Sequence, residues 1–226
     1  MEESFNKVKI SMILNYIIFV FTMFATVAMF TGIKFMSGVE AALEKPSFGM
    51  LRLFTVQANI FMGITSLIMA LKERRLLLGK IKLIPTKYYV LKLVSTVSVA
   101  LTFLVVFTYL APLAPGGIMI LLQNSNLFFH LVIPILSIIT FCFFEVTNSI
   151  KFKYTFYSLL PTFIYAIYYI INILIHVENG SVRKKYDWYL FVQGGLNKAF
   201  IVAPVIFLIT YVIGVILWII NKKNKK

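Results

Sequence analysis

An all-α integral membrane protein with six transmembrane helices is the fold class this sequence predicts, and three observations predict it. Of its 226 residues, 60% are hydrophobic and only 13% charged, whereas soluble domains are about half apolar and about a quarter charged. Mean hydropathy is +0.90. The charges also cluster between long apolar runs instead of alternating along them.

A span needs about 20 mostly apolar residues at 1.5 Å rise each. Six stretches qualify: 10–31, 53–71, 88–111, one within 118–144, 155–176 and 199–220. The first has full spanning length and no A-x-A-like cleavage site after it, so it reads as a retained helix and not a signal peptide. No soluble domain, repeat or low-complexity linker intervenes, and 1–226 reads as a single transmembrane domain.

The chain carries 22 Lys and Arg against 8 Asp and Glu, a formal charge of +14. Nucleic acid is not the expected partner, because the basic residues flank apolar spans and form no continuous soluble face. Anionic lipid headgroups at the basic loops are. Fifteen basic residues fall on one side: Lys7 and Lys9, seven within 72–92 counting Lys92 at its edge, Lys151, Lys153, and four C-terminal lysines. Seven fall on the other: Lys34, Lys45, Arg52, Arg183, Lys184, Lys185 and Lys198. Cytoplasmic loops carry the excess of Lys and Arg, so both termini are expected in the cytoplasm.

The single cysteine, Cys142, lies in an apolar run, which excludes a disulfide framework and a Cys-based zinc site and leaves packing as its role. No Walker loop, dinucleotide fingerprint, HExxH or CxxC pair occurs, which argues against nucleotide hydrolysis and cluster redox chemistry. No metal or cofactor is expected.

Two stretches depart from the apolar pattern. "LRLFTVQANIF" (51–61) places Thr55, Gln57 and Asn59 at the start of span two, and "NSNLFFHLVIP" (124–134) places Asn124, Asn126 and His130 in the first half of span four. Both spans run inward, so the two clusters lie in the same leaflet. Polar groups inside a bilayer are costly and usually face the bundle interior. Thr55 and Asn59 are four apart and share a helix face, as do Asn126 and His130.

If those faces meet, acyl transfer becomes possible. A threonine hydroxyl needs a neighbouring base to act as a nucleophile, and burial favours the neutral imidazole of His130. Asn126 could fix the ring tautomer by accepting the other ring N–H. Asn59, with Gln57, could donate to the developing oxyanion. The plainer role for Thr and Asn in spans is interhelical hydrogen bonding.

These same residues resemble the androgen-induced-gene family of membrane hydrolases and its bacterial six-span relatives. That family shows an F-T-x-x-x-N-like segment early in span two and a later Asn-x-x-x-His segment with Pro four or five residues on. The resemblance implies Thr55 as nucleophile and His130 as its partner, with Asn59, Asn126 and Pro134 as further matches. It also implies fatty acid esters of hydroxy fatty acids, or a related acyl lipid, as substrate, and a bacterial cytoplasmic membrane as the setting. "PTFIYAIYYI" (161–170) and "DWYLFV" (187–192) extend it over most of the chain. The chain departs at Tyr189-Leu190-Phe191, where the family commonly shows Tyr-Pro-Phe.

Depth poses a difficulty. A helix continuous from Ile118 would bury His130 roughly 18 Å below the surface, against about 5 Å for Thr55 counted from Arg52. The mismatch shrinks if 118–125 is interfacial or re-entrant and the spanning helix begins near Asn124, which Gly116 and Gly117 permit.

Further candidates are secondary. Asp187 is expected to pair with Arg183 or Lys184 or to tune the site. Tyr165 and Tyr169, with Tyr168 and Pro161, line the interior or simply pack. His176 and Glu178 are expected at the interface, and Tyr186, Trp188 and Tyr189 in an interfacial aromatic belt. Glu145 is expected as a surface charge near Lys151. The leading expectation is an intramembrane lipid ester hydrolase, with acyl transfer as a second outcome of the same pocket. The alternative is a small-solute or vitamin-binding transport component. The sequence leaves the oligomeric state open.

Overall fold

A computed structural model describes residues 2–36, 48–145, 150–192 and 195–224. Lys45, Lys225 and Lys226 lie outside them. The helices, in chain order, are α1 (Glu2–Thr31), α2 (Phe54–Leu77), α3 (Thr86–Leu113), the short α4 (Gly117–Leu121), α5 (Ser125–Phe144), α6 (Phe152–Ile175) and α7 (Leu196–Lys223). All but α4 are long and apolar enough to cross a membrane. Six expected spans thus appear as six helices, most extended by a turn or so. The one sheet among the described residues is a two-stranded hairpin, β1 (Val177–Glu178) with β2 (Ser181–Val182). Asn179 and Gly180 form its turn at φ 51° and 76°, the backbone that Asn-Gly turns of hairpins adopt.

Local chemistry sets the breaks. Gly79, at φ 68°, ends α2 in the left-handed conformation. Its N–H and that of Lys80 return to the carbonyls of Leu76 and Arg75, which satisfies two of the helix's orphan acceptors. Pro85 precedes α3, where a fixed φ and a missing N–H cost least. Between α4 and α5, Asn124 takes φ 52°, a region that Asn tolerates better than most residues. The spanning helix therefore starts at Ser125 and not at Ile118, as the depth argument requires.

α3 occupies the centre and touches α2, α5, α6 and α7, while α1 packs on α2 and α5. The core comprises Ile18, Val56, Met62, Val99, Leu101, Phe129 and Ile133, with aromatic residues of α6 and the 187–192 segment closing one end. At the α1–α2 crossing, Gly63 lets the helices approach closely. A Cβ there would lie 2.7 Å from Thr22 Cγ2.

Two charges are not where the sequence places them. Glu145 is only 2% exposed and Lys92 0%. Lys92 sits almost two turns inside α3. Glu145 is drawn inward because Asn221 of α7 donates its side-chain amide to the backbone carbonyls of Phe141 and Glu145, at 2.6 and 3.1 Å.

Candidate functional site

One polar side chain of α2, Asn59, reaches the backbone of α5, and a proline explains how. Residues 128–132 of α5 form a π-helical turn. Such turns are rare and often mark functional sites. Ile133 N–H continues the wide pattern by bonding to the Phe128 carbonyl. The next donor in register would come from residue 134, which is proline and has no N–H. That leaves the Phe129 carbonyl without a helical partner. Asn59 of α2 supplies one: its Nδ2 donates to Phe129 O at 3.1 Å and to Thr55 O at 2.8 Å. Asn59 and Pro134 are thus two halves of one arrangement.

This geometry assigns Asn59 a different task from the expected one. Both its amide hydrogens are spent on carbonyls, so it braces the helix pair and has no donor left for an oxyanion. Gln57 is exposed and donates to Leu51 O at 2.8 Å, capping the turn before α2. It does not line the cavity onto which Thr55 opens.

His130 lies in the π-helical turn and is buried. Its Nδ1 is 2.7 Å from the carbonyl of Leu121, the last residue of α4. A carbonyl can only accept, so Nδ1 carries the proton and Nε2 is the basic nitrogen. Leu121, and not Asn126, therefore fixes the tautomer. The short α4 and its break exist in the right place to do so, because the last carbonyls of a helix lack helical partners. Asn126 is buried one turn before His130. Asn124 is a strap: its Oδ1 accepts the backbone N–H groups of Phe35 and Met36, both at 2.9 Å, tying the segment after α1 to the start of α5.

Thr55 occupies the first turn of α2 and faces a different neighbour, Tyr189. The Tyr189 oxygen accepts the backbone N–H of Phe54 at 2.9 Å, one of the orphan donors of the α2 N-terminus. Burial raises the Tyr189 phenol above its ordinary value, and the adjoining Thr55 hydroxyl opposes that rise. The phenol therefore stays protonated. Tyr189 is thus not part of an aromatic belt but is buried beside Thr55, while the half-buried Trp188 donates Nε1 to Tyr165 OH at 2.9 Å. Tyr165 in turn donates to Arg52 O at 2.9 Å.

Asp187 organises this cover. It is fully buried and accepts the Tyr169 hydroxyl and the backbone N–H groups of Phe191 and Val192, the last two at 2.9 and 3.2 Å. Arg183, its expected partner, pairs with Glu178 at 3.0 Å. His176 stacks on Tyr186, ring centroids 3.6 Å apart. Leu190 is held at φ 60° within the same turn.

Thr55 opens on a cavity of about 60 Å³ walled by Phe54, Thr102, Val106, Tyr165, Tyr189 and Phe191, among others. His130 is not part of that wall. Thr162, Tyr165, Phe191 and Ile206 also line a larger apolar groove of about 550 Å³ between α6 and α7. Its outer residues, Ile170, Leu174 and Phe200, are exposed on the lateral surface. Among the described residues no group of three His, Cys, Asp or Glu side chains converges as metal ligands would. Tyr189 and the Leu121 carbonyl are the site members that residue types and spacing did not reveal.

No protein-family model, no curated protein and no solved structure matches this chain.

Proposed function

We propose that this protein is an intramembrane lipid ester hydrolase with Thr55 as nucleophile and His130 as base. The observation that carries this reading is the Asn59 bridge, which joins the strand of backbone bearing Thr55 to the residue preceding His130. His130 Nε2 accepts the Thr55 hydroxyl proton as its oxygen attacks the ester carbonyl. Nδ1 stays protonated on Leu121 O throughout. Catalytic hydrogen bonds are commonly long without substrate and tighten when it binds. The tetrahedral intermediate expels the alcohol, which takes the proton from His130. Water, deprotonated by His130, then releases the acid from the acyl-threonine; an alcohol in place of water gives acyl transfer.

Tyr189 takes the oxyanion role that Asn59 and Gln57 leave open. Its protonated hydroxyl is fixed beside Thr55 by the Phe54 N–H, and the N-terminal end of α2 favours the developing negative charge. The groove between α6 and α7 suits an acyl chain. Its volume of about 550 Å³ falls within the usual range for small-molecule sites, about 300–1,000 Å³. Its mostly hydrocarbon walls favour a lipid over a polar solute or vitamin. Fatty acid esters of hydroxy fatty acids are the substrates to try first.

The bundle sits with both ends of the chain in the cytoplasm of a bacterial cell, its basic 72–87 segment against anionic headgroups, and requires no cofactor or nucleic acid. The test is release of free fatty acid by the protein in liposomes. Thr55→Ala and His130→Ala should each lower turnover by more than about 10²-fold, while Thr55→Ser retains it. Unchanged turnover in either alanine variant rejects the mechanism.

A further inference from the structure

About 27 Å along α2 from Thr55, by the helical rise per residue, lies a second polar cluster that the lipid chemistry does not use. Glu73 of α2, Lys92 of α3 and Glu145 at the end of α5 are 2%, 0% and 2% exposed. Asn15 and Ser11 of α1 and Ser66 of α2 complete it. Two acids and one base almost wholly withdrawn from water leave one negative charge uncompensated when all three are ionised. Buried charges are tolerated only when paired and hydrogen-bonded.

The hydrogen bonds show which partner is satisfied. Lys92 Nζ donates to Asn15 Oδ1 and Ser66 Oγ, both at 2.6 Å, and lies 3.4 Å from Met62 Sδ and 3.8 Å from Glu145 Oε1. Ser66 sends its own proton to Met62 Sδ. Lys92 thus faces only acceptors, the surroundings of an ammonium. Asn15 Nδ2 bridges the acids, 2.6 Å from Glu145 Oε1 and 3.3 Å from Glu73 Oε2. Ser11 donates to Glu73 Oε1 at 2.5 Å. Three of the four carboxyl oxygens therefore accept a donor. Glu145 Oε2 has none, although it is buried.

We propose that Asn15, Glu73, Lys92 and Glu145 form an intramembrane binding site for one exchangeable proton, carried on the Glu145 carboxyl while Glu73 stays ionised and the Asn15 amide donates to both acids. Protonation of Oε2 makes the cluster neutral: one carboxylate, one ammonium, one carboxylic acid. Oε1 remains an acceptor for Asn15. Among the described residues, Tyr89 of α3 and Cys142 of α5 are further titratable side chains near Glu145. Among the described residues, α1 contributes Ser11 and Asn15, and α7 contributes Asn221. Because α1, α2, α3 and the end of α5 converge here, release of the proton puts unpaired charge between them and links its binding to their closure. The site is independent of the lipid reaction.

Infrared difference spectroscopy on the full chain in liposomes reads the proton directly. At neutral pH the wild type should show a protonated-carboxyl carbonyl band equivalent to one group per chain, shifted in heavy water. Glu145→Gln and Glu73→Gln should each abolish it, since one acid then pairs with Lys92. Lys92→Met should double it. A wild type lacking the band from mildly acidic to mildly alkaline pH overturns the proposal, whether or not any variant folds. So does a band that both glutamine variants retain. Loss of the band on adding sodium would make this a metal-cation site and also overturn it.

Discussion

The side chain of Asn59 reaches the backbone carbonyl of Phe129 at 3.1 Å, filling the place of the N–H that Pro134 lacks. One amide thereby stitches the helix of Thr55 to the turn that carries His130. Asn59→Ala leaves that buried carbonyl without a donor and should cost about 1–3 kcal/mol. Pro134→Ala restores a backbone N–H in register with it. The double variant should therefore be more stable than the sum of the single effects, by about 1 kcal/mol. Denaturant unfolding of the four proteins measures this, and strict additivity rejects the substitution of one donor for the other.

Tyr189 provides a separate test of the oxyanion assignment. Tyr189→Phe keeps the ring and removes the hydroxyl. Turnover of a lipid ester should fall by about 10²–10³-fold, the usual effect of one such donor. Covalent trapping of Thr55 should continue, more slowly. Full activity in this variant removes Tyr189 from the mechanism.

Leu190 bears on the one departure from the Tyr-Pro-Phe pattern. It sits at φ 60°, where proline, fixed near −65°, cannot follow. Its carbonyl accepts Tyr109 OH at 3.2 Å and its N–H bonds to Asp187 O at 2.9 Å. Leu190→Pro should thus destabilise the 187–192 turn by at least about 1–3 kcal/mol. Leu190→Gly should be neutral or stabilising by up to about 1 kcal/mol, since left-handed backbone costs a side-chain-bearing residue roughly that much. Thermal unfolding of both variants gives the order; a proline variant as stable as the wild type contradicts it.

Gly63 and Thr22 set the α1–α2 spacing. Gly63→Ala places a methyl 2.7 Å from Thr22 Cγ2 and should destabilise by about 1–3 kcal/mol, the usual penalty of overpacking. Thr22→Ser in the same chain removes the offending methyl and should recover part of the loss. A tolerated Gly63→Ala would show that the helices separate easily.

Much of the fold was legible in the sequence because hydrocarbon imposes it: spans of about 20 apolar residues allow few alternatives. The four-residue spacings of Thr55/Asn59 and Asn126/His130 were also visible, since such spacing puts side chains on one helix face. The partners of those side chains were not. Leu121 fixes His130 through a backbone carbonyl, which any residue type offers, so no letter in the sequence marks it. Tyr189 resembled a belt aromatic until the Asp187 turn folded it under the bundle's end. Lys92 and Glu145 misled because charged side chains near span ends usually lie in water; only packing across four elements shows them buried together.

Mapping the adduct of a fluorophosphonate on the purified protein tests the central claim most directly. The account predicts one modified residue, Thr55, with labelling lost in Thr55→Ala and in His130→Ala, and kept in Gln57→Ala. Labelling of another residue, or of Thr55 at an undiminished rate without the His130 imidazole, contradicts it.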